Sequence, residues 1–169
     1  MDDTYKYDRL AIQWSKEMET GVEKIDKQHQ TLVAMINRLQ SAIDSKLELT
    51  GISLIFGQLA SYTKYHFKAE ELILEKMHDP HIVAHRQIHM KFVNILREYE
   101  KSFRSGDATV VPKLLSYLEV WLVDHIVKED KVSLGGKTIA KDITEHVIDD
   151  RKVDDWEWIY SQAKKNKRI

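Results

Sequence analysis

Residues 82–92 read Ile82-Val83-Ala84-His85-Arg86-Gln87-Ile88-His89-Met90-Lys91-Phe92, and this stretch decides how the chain folds. Ile82, Phe92, Leu96, Tyr99 and Phe103 step along the sequence by threes and fours only if positions 85 and 89 are counted on the same stripe. A stripe of that spacing is the buried face of an amphipathic helix. Two histidines therefore lie where a core would be.

The same pattern recurs on either side. Val22, Ile25, Leu32, Ile36, Leu39 and Ile43 form a stripe that passes through His29. Ile52, Ile55, Leu59, Thr63, Ile73 and Met77 form another, and His66 and Glu70 fall on it. Val111, Leu115, Leu118 and Leu122 lead to His125. The clearest breaks are Gly51, Asp79-Pro80 and Ser105-Gly106-Asp107, and Gly135-Gly136 closes the last segment. Helices are expected near 22–44, 52–77, 82–104 and 110–134. Short connections between long helices favour antiparallel neighbours. The expected fold is all-α: an up-and-down antiparallel four-helix bundle, with an amino-terminal arm and a helical C-terminal extension. The bundle and its arm (1–21, carrying Trp14) would occupy 1–136, and the extension 137–169.

Bulk properties agree. The chain has 169 residues, 43% of them hydrophobic and 31% charged, and only two prolines and six glycines interrupt it. The formal net charge is -1, which gives no footprint for nucleic acid and no polybasic membrane patch. No segment is long and apolar enough to span a bilayer and no signal-like stretch opens the chain, so a cytoplasmic protein is expected. There are no cysteines, so thiolate metal sites, disulfides and thiol catalysis are excluded.

Five histidines and a carboxylate on core stripes demand a partner, because burying them unpaired is strongly penalised. His66 and Glu70 are four residues apart, as are His85 and His89, so each pair shares a helix face. Counted from the end shared by the turns, the set spans on the order of 12 Å at 1.5 Å per residue. One polar cluster between four helices is what a metal site in a bundle core requires. Imidazole and carboxylate without thiolate suit iron, zinc, copper or manganese. Five histidines exceed the needs of one tetrahedral zinc, and a dinuclear centre with a bridging carboxylate fits the count better.

These residues resemble the hemerythrin family, and the bacterial hemerythrins most closely. The resemblance is carried by Ile25-Asp26-Lys27-Gln28-His29, His66-x-x-x-Glu70, His85-x-x-x-His89-x-x-Phe92 and Trp121-Leu122-x-x-His125-Ile126-x-x-x-Asp130, in order across roughly residues 10–134, with Trp14 and Gly21-Val22 in the arm. It implies two non-haem irons with an oxo or hydroxo bridge. His85, His89 and His125 would hold one iron, His29 and His66 the other, and Glu70 and Asp130 would bridge them. Molecular oxygen would bind reversibly at the two-histidine iron. Leu122 and Ile126 are the candidates for the lining that keeps water out, and both read equally well as plain core packing. The resemblance implies an oxygen carrier, store or supplier rather than an enzyme. The alternatives are a di-iron enzyme acting on peroxide, nitric oxide or ferrous iron, and a sensor signalling through the tail.

Asp130 strains the reading of the residues. On a regular helix the partner of His125 is Glu129, four residues on, whereas Asp130, five residues on, lies about 140° round the helix from His125. Either a π-bulge distorts the helix or Asp130 approaches from another side. His78 and His81 read as surface turn residues, and His146 as an exposed residue of the tail. The turn at Asp79-Pro80 departs from the Gly-Tyr-Pro-like turn common in the family. Trp156, Trp158 and Tyr160 would pack on the bundle, or dock a protein partner or a second subunit.

Overall fold

The computed structural model describes residues 11–140 and 143–145. Its long helices are α1 (Glu23–Asp44), α2 (Leu49–Lys76), α3 (Ile82–Arg104) and α4 (Val110–His125). A π-helical turn (Ile126–Asp130) continues α4 into a last short helix, α5 (Lys131–Leu134). Each long helix packs on the next and α4 packs back on α1, so the bundle is closed in the up-and-down order. No strand occurs among the described residues, and no described helix is long and apolar enough to cross a membrane.

The stripes fill the core as their spacing requires. Ile25, Leu39, Leu59, Ile73, Leu118 and Ile126 are at most 1% exposed. Their burial drives the packing, at roughly 25 cal/mol per Å² of apolar surface removed from water.

The break at Gly51 is displaced. Helix α2 starts at Leu49 and runs through Gly51. The turn sits earlier, at Lys46, which takes the left-handed conformation (φ 50). There the Leu47 N–H bonds the Ala42 carbonyl (2.8 Å) and the Lys46 N–H the Ile43 carbonyl (2.9 Å), a closure that satisfies the last carbonyls of α1. Gly51 serves packing instead, since a Cβ there would come within 2.6 Å of the Leu47 side chain.

Two further features position the site. Asp26 accepts hydrogen bonds from the Thr20 N–H and hydroxyl (both 2.8 Å) and from the Gly21 N–H (3.1 Å), fixing the arm on the first turn of α1. Ile12 exchanges a pair of bonds with the Asn37 amide (2.8 and 2.9 Å), which seats Trp14 against the core. At the other end of the chain, Lys137 donates to Asp79 (2.6 Å), and Ile139 and Ile143 pack on a cluster built by Val22, Ile25, Ala69, Ile73, Leu74 and Leu134.

Candidate metal centre

All five core histidines and both carboxylates are at most 4% exposed. Helix α1 supplies His29, α2 His66 and Glu70, and α3 His85 and His89. His125 ends α4, and Asp130 ends the π-helical turn.

That turn removes the strain in the sequence reading. The Lys131 N–H bonds the Ile126 carbonyl, five residues back, so this segment needs more residues per turn than an α-helix. Asp130 thereby comes onto the face of His125 and is fully buried. Glu129 is left half-buried at the periphery.

The donor atoms fall into two groups. Glu70, His85, His89, His125 and Asp130 each place one ligand atom within 4.8 Å of the others, and so do His29, His66 and Asp130. Asp130 belongs to both groups. Its Oδ1 lies 3.0 Å from His125 Nε2 and 3.4 Å from His85 Nε2, while its Oδ2 lies 3.2 Å from His29 Nε2. Glu70 Oε2 lies 3.4 Å from His85 Nε2, 3.6 Å from His89 Nε2 and 3.9 Å from His66 Nε2. The Nε2 atoms of all five rings therefore face the carboxylates.

Two rings are held in that sense from behind. His66 Nδ1 donates to the Gln28 side-chain oxygen (2.9 Å) and His89 Nδ1 to Glu71 Oε1 (2.8 Å). With Nδ1 carrying the proton, Nε2 presents a lone pair to the centre. Aromatic stacking fixes ring planes as well: Phe67 lies on His89 at 3.7 Å and 4°, and Trp121 on His125 at 4.3 Å and 15°.

The electrostatics are those of a site short of positive charge. Burial pushes the His89 imidazolium down to about 4, outweighing the Glu71 hydrogen bond. Burial and the facing His29 hold His66 well below its ordinary value. Both rings are neutral at ordinary pH, as ligands must be. Burial and the neighbouring Asp130 carboxylate raise Glu70. Asp130 is held low, because His125 and His29 outweigh its burial.

A cation fits this donor set. His29 Nδ1 and Nε2, Glu70 Oε1 and both Asp130 oxygens have no hydrogen bond, although several lie at contact distance from one another. Buried polar atoms of that kind need a partner, and converging lone pairs find one in a metal ion.

The remaining candidates separate cleanly. Leu122 and Ile126 are buried (4% and 0% exposed), and Leu122 borders a small internal cavity with Leu32, Ile36, Thr63, Phe67 and Phe92. His78 and His81 are exposed in the turn. His146, Trp156, Trp158 and Tyr160 lie outside the described residues. Reading by stripes missed Gln28 and Glu71, since neither is a ligand type on a core stripe. Gln28 did stand inside the quoted Ile25–His29 motif.

Fold and site together define a helical-bundle protein with a buried histidine–carboxylate cluster whose donor atoms could hold cations. The family model "Hemerythrin HHE cation binding domain" matches residues 20–135. A bacteriohemerythrin of Pseudomonas aeruginosa (strain LESB58) is 35% identical over 117 residues, covering 69% of this chain and 75% of that protein. One from Methylococcus capsulatus (strain Bath) is 33% identical over 118 residues, covering 69% and 88%. The crystal structure of a wild-type hemerythrin superposes with a TM-score of 0.68 at 31% identity, over 74% of this chain and 96% of that one. The chain belongs to the hemerythrin family.

Proposed function

We propose that this protein holds two non-haem irons in the cluster and binds molecular oxygen reversibly, as a carrier, store or local supplier rather than as an enzyme. The observation that carries the reading is the pair of donor groups joined by Asp130, one with three imidazoles and one with two. His85, His89 and His125 hold one iron. His29 and His66 would hold the other, where fewer protein donors leave room for a small molecule. Asp130, shared by both groups, and Glu70 would bridge the pair.

When bound, the iron pair supplies reversible two-electron chemistry toward oxygen. The chain's own residues set the conditions. Gln28 and Glu71 keep the Nδ1 protons of His66 and His89 away from the metals. Phe67 and Trp121 keep two rings in plane. Leu122 and Ile126 form an apolar wall that excludes water. A dry wall protects the reduced pair, because water admitted beside it assists irreversible oxidation.

The test has two parts. Metal analysis of the purified chain should give two irons per monomer and no haem. Anaerobic reduction followed by air and then argon should give a visible spectrum that appears and disappears with oxygen. One zinc per chain after iron-supplemented expression removes the metal assignment. Irreversible oxidation on the first exposure favours an enzyme or a sensor over a carrier.

A further inference from the structure

Glu71 lies beside Glu70 on α2, yet it belongs to neither donor group. Its side chain is 22% exposed and lines a surface groove of about 360 Å³ between α2 and α3, with Lys64, Lys68, Met90 and Arg97. One carboxylate oxygen accepts the His89 Nδ1 proton at 2.8 Å. The other meets Arg86 Nε at 3.3 Å, and Arg86 Nη2 reaches Glu75 at 2.9 Å. A polar chain therefore runs Glu75–Arg86–Glu71–His89 from solvent to the centre. As a half-exposed ion pair alone, Glu71–Arg86 would be worth little. Bound to an imidazole whose other nitrogen faces the cluster, the same carboxylate has leverage. A carboxylate behind a ligating histidine fixes its tautomer and raises its basicity.

The other backed ring differs. His66 is held by Gln28, a neutral amide that is 1% exposed. A hydrogen bond to an ionised acceptor is roughly twice as strong as one to a neutral acceptor. The two donor groups thus differ in the charge behind their rings as well as in the number of imidazoles.

We infer that Glu71 is a positioning residue that makes His89 the more electron-rich ligand, so that the three-histidine metal is tuned toward its oxidised state while the two-histidine metal, backed by Gln28, is not. This inference rests on the di-iron reading above. Glu71→Gln keeps an oxygen acceptor for His89 and removes only the charge, whereas Glu71→Ala removes both.

The experiment uses the full iron-loaded chain. Midpoint potential is followed by anaerobic spectroelectrochemistry, and iron retention by competition with a chelator. Glu71→Gln should keep its iron and shift the midpoint potential upward, because removing negative charge disfavours the oxidised metal. Glu71→Ala should hold iron roughly 10–100-fold more weakly, the usual cost of losing an outer partner. A potential in Glu71→Gln that is unchanged or lower overturns the inference, whatever the alanine variant does, and leaves the iron pair standing. A wild-type chain without an iron pair overturns both.

Discussion

Glu129 and Asp130 are adjacent acidic residues with opposite environments, so a single-residue exchange separates them. Asp130 is fully buried and points one oxygen at each donor group, while Glu129 is half-buried outside both. Asp130→Ala should lose most of its iron, as a shared ligand disappears and three imidazoles lose their facing carboxylate. Glu129→Ala should keep iron content and spectrum. Metal analysis of the two purified variants decides, and the reverse ranking would remove Asp130 from the ligand set. Leu122 tests the wall. Leu122→Ala should lower stability by about 2–5 kcal/mol, the range for such truncations in cores. It should also shorten the lifetime of the oxygenated form by admitting water. A destabilised variant with an unchanged lifetime makes Leu122 ordinary packing.

The π-helical turn is where an element, rather than a residue, determines the site. An extra residue in a helix moves everything after it by about 100° unless the helix locally widens. Here the widening spans Ile126–Asp130 and returns α5 to register, so that Leu134 is fully buried. Removing the exposed Lys128 should therefore let the segment close as a regular helix, with the aspartate four residues from His125. The expected variant stays helical by circular dichroism and still retains iron in chelator competition. Loss of iron from a still-helical protein would show that the π geometry itself sets the carboxylate's approach. This element also marks the limit of reading the sequence. The four stripes and their histidines were legible because burial imposes a helical period on apolar residues. The choice of Asp130 was not, since a regular helix selects Glu129 and only the quoted motif pointed past it. Gly51 misled for a related reason: glycine marks close packing as readily as a turn, and Lys46 carries the left-handed φ instead. Gln28 and Glu71 were silent because hydrogen bonding from behind a ring leaves no periodic trace.

At the scale of the whole molecule, the question is how far the bundle depends on the chain beyond it. The division expected from sequence ends the bundle at Gly136, and all seven donor residues precede that point. Contacts cross the division, however. Lys137 donates to Asp79, which also accepts the His81 N–H at 2.9 Å and so closes the turn between α2 and α3. Burial alone would raise the Asp79 carboxyl. The bonds from Lys137 and His81 outweigh it and hold Asp79 below its ordinary value. A carboxyl lowered by folding stabilises above its unfolded value, about 3.9, and the contribution fades as pH falls through the folded value. Wild type should therefore melt above Asp79→Asn at pH 7, and the gap should narrow below about pH 4. A gap independent of pH would trace the effect to shape rather than charge. Truncation after Gly136 removes Lys137 together with Ile139 and Ile143, which are partly buried on the cluster around Ile73 and Leu74. Fully burying an isoleucine is worth roughly 1.5–3 kcal/mol, so the loss from two partly buried ones is sizeable. The truncated chain should melt several degrees lower yet keep its two irons and its reversible spectrum, because that cluster lies outside both donor groups. Light scattering separates the remaining possibilities: an unchanged number of subunits places these contacts within one chain, and a smaller number assigns residues beyond 136 to assembly. Loss of iron from a truncation that is still helical and soluble would make the extension part of the site's construction, and would bring His146 forward as a candidate.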